Sequence, residues 1–122
     1  MLYPKNTEKK LSEALFSQPT CEYRGAPFWA WNCKLDKDDL LWQLEVLKEM
    51  GLGGAHMHVR TGMATPYLSD EHMALVRACV EKCKQENMLA WLQLHNVSSK
   101  VARQIQTEKR FICSPSSEIV VK

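Results

Sequence analysis

Apolar residues occur along the chain either in short continuous runs or at helical spacing, and each of these patterns predicts one kind of element. Short apolar runs at residues 26–31, 52–59 and 88–94 have the length of buried strands. Between them, residues 36–50 and 70–86 repeat apolar side chains at helical spacing. Helical crossovers of this length make successive strands parallel, as in βαβ units. The sequence therefore predicts an α/β fold in which three parallel strands alternate with helices.

Both predicted helices carry capping residues at their ends. Asp36 and Ser69 are suited to the N-caps, while Gly51 and Asn87 can adopt the left-handed conformation that ends a helix. Each helix is expected to bury one apolar stripe against the sheet. The stripes consist of Leu40, Leu41, Leu44, Leu47 and Met50 in the first helix, and of Met73, Val76, Cys79, Val80 and Cys83 in the second.

The segments on either side of this unit are less strongly patterned. Residues 1–22 form a lead-in with a short amphipathic turn before Pro19, and residues 23–96 contain the main strands and helices. Residues 97–122 form a tail. The elements expected in the tail are a helix from Ser98 or Ser99 through Ile105 and a terminal strand at 119–121.

Composition narrows the class of protein. The 122 residues suit one domain, and a hydrophobic content of 45% with mixed charges is typical of a soluble globular protein. The net charge of +2 is spread along the chain, which gives no concentrated positive field for nucleic acid. The sequence shows neither a signal peptide nor a run of about 20 apolar residues. We therefore expect a cytoplasmic location and no membrane partner.

The cysteines predict packing instead of metal binding. Their number is five, so they cannot all pair within the chain, and their spacing matches no common zinc template. Reduced thiols are the simplest interpretation. Cys79 and Cys83 are four residues apart on a predicted helix, where free cysteines favour the core over a redox role.

The second predicted strand carries a row of polar side chains. At a period of two, His56, His58 and Arg60 share one face, while the alternate apolar residues turn toward the helices. Sites in parallel sheets gather where strands end and the following loops begin. The residues at those ends are Trp31 and Asn32 after the first strand, His58, Arg60 and Thr61 after the second, and Leu94, His95 and Asn96 after the third.

Two kinds of site fit these residues. His56 and His58 can face one metal ion, but two histidines fall short of the three or more ligands of a protein site, and Arg60 adds positive charge. Alternatively, His58 and Arg60 can hydrogen-bond hydroxyls or a carboxylate. Trp31 beside Asn32 offers an apolar plate next to an amide, which is typical of a sugar site. We predict that substrate contacts Trp31, Asn32, His58 and Arg60, without a metal or cofactor.

Other common sites are not indicated by the sequence. The glycines at 51–54 precede a strand instead of opening a helix, so neither nucleotide-binding fingerprint is met. A nucleophile elbow is missing, and most carboxylates lie at helix starts or on predicted solvent faces. A catalytic pair of carboxylates is therefore not evident.

Several stretches carry a family resemblance. They are Tyr23-Arg24-Gly25-Ala26-Pro27-Phe28-Trp29-Ala30-Trp31-Asn32, Leu35-Asp36, Met50-Gly51-Leu52-Gly53-Gly54, His58-Val59-Arg60-Thr61-Gly62 and Thr65-Pro66-Tyr67-Leu68-Ser69-Asp70. Together they closely resemble the start of the catalytic barrel of a bacterial glycoside hydrolase group that includes, or lies near, the α-L-rhamnosidases of family 106. The resemblance covers residues 22–94. It implies the first three strands and two helices of a (β/α)₈ TIM-type barrel, with Asn32, His58 and Arg60 directed toward a carbohydrate-binding mouth.

The resemblance stops after the third strand. There the family continues with Asp-Glu-Asp and then Arg-Trp-Pro-Ser-Gly, whereas this chain reads Gln93-Leu94-His95-Asn96-Val97-Ser98-Ser99. A complete barrel takes about 250 residues, and the family's catalytic carboxylates lie in parts that this chain does not contain. We therefore expect residues 23–96 to be a partial barrel, residues 97–122 a divergent tail, and the chain a truncated hydrolase fragment that is inactive alone.

Two other functions remain open from the sequence. A three-stranded sheet with uncovered edges can pair with itself or a partner, which would make the chain a small α/β binding or self-association domain and a homo-oligomer. The second alternative is a metal-dependent hydrolase that uses His56 and His58.

Overall fold

The fold is given by a computed structural model, which describes residues 9–93, 111–113 and 118–121. The elements in chain order are α1 (Glu13–Ser17), a 3₁₀ turn (Cys21–Tyr23), β1 (Phe28–Trp31), α2 (Lys37–Glu49), β2 (Gly54–Val59), α3 (Asp70–Gln85), β3 (Leu89–Gln93), β4 (Phe111–Cys113) and β5 (Glu118–Val121). The predicted alternation of strands and helices in the first 93 residues is confirmed.

Five strands form one sheet in the order β1-β2-β3-β5-β4. The pairs β1–β2 and β2–β3 are parallel, which confirms the predicted three-stranded parallel unit. The remaining pairs, β3–β5 and β5–β4, are antiparallel. The predicted terminal strand is confirmed as β5, β4 was not predicted, and the predicted helix ending at Ile105 lies outside the described residues.

The ends of both long helices follow from their capping residues. The side chain of Asp36 accepts hydrogen bonds from the N–H groups of Asp38 and Asp39 at 3.0 and 3.2 Å. Ser69 Oγ accepts from the N–H of His72 at 3.1 Å. At the opposite ends, Gly51 has φ +84° and Asn87 has φ +53°. Asp36 and Ser69 thus pair N–H groups in the first turns of the helices, and Gly51 and Asn87 end the helices, as the sequence predicts.

The sheet buries one face beneath both long helices. Ala55 and Met57 of β2 are each 1% exposed, and they share the core with Leu44 of α2 and Val76 of α3. The two helices lie side by side, and Lys82 of α3 bonds Glu45 of α2 at 2.6 Å. Because side chains alternate along a strand, His56 and His58 lie on the opposite face of β2. This arrangement confirms the prediction that the apolar residues of β2 face the helices and its histidines face the other way.

The lead-in segment is attached to the lower edge of the sheet, where the parallel strands begin. Arg24 donates from Nε to the carbonyl of Pro19 at 2.7 Å and from Nη1 to the carbonyl of Gly51 at 3.2 Å. The 3₁₀ turn approaches so closely that a Cβ on Gly53 would lie 2.1 Å from the carbonyl oxygen of Cys21. Helix α1 confirms the predicted short turn before Pro19. Among the described helices, none is long and apolar enough to cross a membrane.

Substituting Gly54 tests the close approach of β2 to β3. A Cβ at Gly54 would lie 2.3 Å from the carbonyl oxygen of Leu89, so Gly54→Ala must displace backbone. We expect the free energy of unfolding to fall by about 1–3 kcal/mol, as for other overpacked sites. In the control Gly25→Ala, the new methyl meets only Leu52 Cδ2 at 3.5 Å. Equal urea midpoints for the two variants would contradict this account.

Candidate functional site

The loops that follow β1 and β2 are joined into one surface. The N–H of Arg60 donates to the carbonyl of Trp31 at 3.0 Å, and the N–H of Ala64 donates to the carbonyl of Cys33 at 3.1 Å. Buried Thr65 accepts at Oγ1 from the N–H of Leu35 at 3.2 Å. These bonds hold the ends of two neighbouring parallel strands together, where a site was predicted.

Gly62 brings the exposed Asn32 and Arg60 to the same edge. Its φ of +102° lies in the region that glycine adopts without strain, and a Cβ at this position would lie 2.8 Å from the carbonyl oxygen of Asn32. The loop after β2 therefore passes directly against the end of β1. An exposed amide and an exposed guanidinium border this junction.

Phe28 links the predicted residues His58 and Arg60. Its ring centroid lies 4.2 Å from that of the His58 imidazole, and Arg60 Cζ lies 6.0 Å from the same ring centroid. His58 is 3% exposed, whereas Phe28 is 52% exposed and Arg60 is also exposed. A half-exposed aromatic ring thus lies close to both a buried imidazole and a surface cation, and the position of Arg60 over the ring favours cation–π attraction.

A second imidazole–aromatic contact extends this face of the sheet. His56 pairs in register with Trp91 of β3, and the ring centroids are 5.1 Å apart with an interplanar angle of 34°. Both residues are half-buried. The face opposite the helices therefore carries aromatic and imidazole side chains on three neighbouring strands.

Trp31 does not belong to this face. It is 2% exposed and pairs in register with Val59, and its ring makes edge contacts with Trp29 at 5.4 Å and with His72 at 5.8 Å. The alternation of side chains turns Trp31 toward the helices, although it immediately precedes Asn32. The structure therefore does not support the prediction that Trp31 supplies an apolar plate, because its ring is buried. Of the four predicted substrate contacts, Asn32 and Arg60 lie exposed at one edge, and His58 lies beneath Phe28.

His72 is a buried residue of this region that the sequence analysis did not single out. It is 0% exposed, and its Nδ1 accepts the N–H of Leu68 at 3.3 Å. Leu68 has φ +58°, which is unusual for a residue with a branched side chain. Burial lowers the pKa of His72, so the imidazole is neutral at pH 7 and can accept this hydrogen bond. The bond fixes the loop between β2 and α3.

The described residues do not assemble a metal site. No group of three or more His, Cys, Asp or Glu side chains is placed to hold a metal ion in the part of the chain that the structure describes. Cys79 and Cys83 are buried free thiols, which confirms their predicted place in the core. Burial raises the pKa of each thiol to about 12, and the neighbouring Cys83 contributes to the shift at Cys79.

Comparison with known protein families, with curated proteins and with solved structures finds no match to this chain.

The variant His72→Asn tests the role of the buried imidazole. Because the pKa of folded His72 lies below that of the unfolded chain, the unfolded chain binds more protons as the pH falls below about 6.5. The stability that depends on neutral His72 is complete above that pH and decreases as the pH falls through the folded pKa. Asn retains an oxygen that can accept from Leu68 but does not titrate.

We expect thermal melts from pH 7.5 to 5 to show a smaller loss of stability for His72→Asn than for the unsubstituted protein. The other three histidines are present in both proteins, so the difference between the two profiles isolates His72. Parallel profiles would contradict this account.

Thiol labelling tests the burial of the helix cysteines. At pH 8 and in the folded protein, we expect an alkylating reagent to modify exposed Cys33 and to leave Cys79 and Cys83 unmodified. Both should react once the protein is unfolded in urea. Peptide mass mapping assigns each site, and labelling of Cys79 at the rate of Cys33 would show that the helix face is open.

Proposed function

We propose that this chain is the first part of a glycoside-hydrolase barrel and that it binds carbohydrate at the edge bordered by Asn32 and Arg60. The order β1-α2-β2-α3-β3, with both helices on one face, is compatible with the first units of such a barrel. Strand β5 lies next to β3 in the sheet and is antiparallel to it, whereas all strands of such a barrel are parallel. The proposal is therefore limited to the first three strands. This limit coincides with the end of the family resemblance near residue 94.

The observation that carries the proposal is the contact of Arg60 and His58 with the ring of Phe28. Carbohydrate sites combine an apolar ring face with hydrogen-bonding groups around its rim. Phe28 is 52% exposed and provides the ring that was predicted at Trp31, while Arg60 provides a fork of donors. Asn32 adds an amide donor and acceptor at the adjoining strand end.

His58 has a supporting role in this proposal. Its side chain is 3% exposed and lies against Phe28, so a sugar on the outer surface of the ring would not touch it. Removing the imidazole would leave a space beneath the ring and loosen its position. His58 therefore positions the ring of Phe28, while Phe28, Asn32 and Arg60 contact the ligand.

Hydrolysis by the chain alone is not part of the proposal. Glycoside hydrolysis requires a pair of carboxyl groups on either side of the scissile bond. The described ends of β1, β2 and β3 carry Asn32, Arg60 and Gln93, none of which is a carboxylic acid. We therefore propose ligand binding, and not acid catalysis, for these residues.

Ligand titration followed by NMR tests the binding proposal. We expect α-L-rhamnose and its methyl glycoside to shift the amide signals of Asn32 and Arg60 at millimolar concentrations. Arg60→Ala should weaken binding about tenfold, which corresponds to the loss of one charge-assisted hydrogen bond. Lys34→Ala removes another exposed cation from the loop after β1 and serves as the matched control.

Equal affinities for Arg60→Ala and Lys34→Ala would contradict the assigned edge, and the absence of any shift with the whole sugar series would contradict carbohydrate binding. An assay with an aryl α-L-rhamnoside tests inactivity separately. Turnover by the purified chain that disappears in Arg60→Ala would show that a catalytic apparatus is present.

A further inference from the structure

Strand β1 forms one edge of the described sheet and presents backbone groups that pair with no other described strand. The carbonyls of Pro27 and Trp31 accept from the N–H groups of His56 and Arg60 at 2.9 and 3.0 Å, so they point toward β2. Backbone groups alternate along a strand, and Phe28 and Ala30 therefore turn their N–H and C=O groups away from β2. Both residues are exposed. Two donors and two acceptors face outward from this edge.

This edge has little of the protection that edge strands usually carry. Charged side chains and prolines commonly blunt such edges, but β1 itself reads Phe28-Trp29-Ala30-Trp31. Pro27 precedes the strand, and its carbonyl points toward β2, so its missing N–H removes no donor from the outer edge. Since no described strand covers the outward groups, they can pair with a strand from another chain.

We propose that a second copy of this chain pairs with β1 in antiparallel orientation, with the two-fold axis at Trp29. In this register Phe28 of each copy lies opposite Ala30 of the other, and the two pairs exchange four backbone hydrogen bonds. The large ring then lies beside a methyl group on the face opposite the helices. The same residues complement themselves, as a two-fold interface requires.

Helix α2 supports the same pairing on the other face of the sheet. Trp29 Nε1 donates to Gln43 Oε1 at 2.8 Å, which places α2 over β1 near the proposed axis. Trp42 of α2 is 62% exposed, and Met50, which follows the helix, is 69% exposed. Antiparallel pairing of the strands brings the α2 helices of the two copies to the same face of the joined sheet, where these exposed apolar side chains can add to the interface.

The size of the surface predicts a weak dimer. Phe28 and Trp42 expose about 100 and 150 Å², given the area of aromatic side chains, whereas a standard interface buries about 800 Å² per partner. The apolar contribution is therefore modest, and backbone hydrogen bonds supply much of the specificity. We expect a dissociation constant on the order of 10–100 μM, at the low end of interface sizes.

Sedimentation equilibrium from 5 to 500 μM tests the assembly. We expect a reversible monomer–dimer equilibrium for the full chain. Ala30→Lys places a charge opposite Phe28, and Trp42→Glu places one on the exposed surface of α2, so each should weaken association at least tenfold. Both positions are exposed, so the fold should remain intact by circular dichroism. Leu11→Glu, at an 86% exposed position just before α1, is the control.

Amide hydrogen exchange tests the register. Raising the protein concentration should slow exchange at Phe28 and Ala30, while Trp29 and Trp31, whose backbone groups face β2, remain protected at every concentration. A folded monomer at 500 μM would overturn the proposal. A dimer that leaves Phe28 and Ala30 unprotected, or that Leu11→Glu disrupts as strongly as Ala30→Lys, would overturn it as well.

Discussion

Strand β2 lies at the centre of the parallel unit, and its two faces impose opposite demands. Ala55 and Met57 pack into the core beneath α2 and α3, while His56 and His58 alternate with them and face the other way. A shift of one residue in either ladder would bury imidazoles under the helices and expose the core positions. The register with β1 and β3 is therefore determined by hydrophobic burial, and the aromatic contacts on the opposite face follow from it.

The close backbone approaches around β2 serve the same register. Gly53 and Gly54 allow the lead-in turn and β3 to approach the start of the strand, and Gly62 allows the following loop to meet the end of β1. Side chains at these positions would separate the layers that the core draws together. The close backbone contact at Gly62 thus brings the loops that carry Asn32 and Arg60 together, although neither residue belongs to the core.

Local signals made the parallel unit predictable from the sequence. The contacts between strands could not be predicted in this way. Asp36 and Ser69 act through neighbours two or three residues away, so both helix starts could be read from the sequence. The strand β4 spans three residues and depends on pairing with β5, which no local pattern reports. The same limit applies to the site. Trp31 and Asn32 are adjacent in sequence but differ in burial, and the contact of Phe28 with Arg60 depends on the β1–β2 register.

The contact between Trp31 and His72 affects how easily the structure opens locally at this end of the strands. Within the described residues, Trp31 Nε1 and His72 Nε2 are buried nitrogens without a hydrogen-bond acceptor. A buried donor of this kind costs about 1–3 kcal/mol in lost hydration, and both lie beneath the strand ends that carry Asn32 and Arg60. Local opening at this end restores water to both groups, which offsets part of its free-energy cost. The strand ends that carry Asn32 and Arg60 are therefore less costly to open than they would be if both nitrogens were paired.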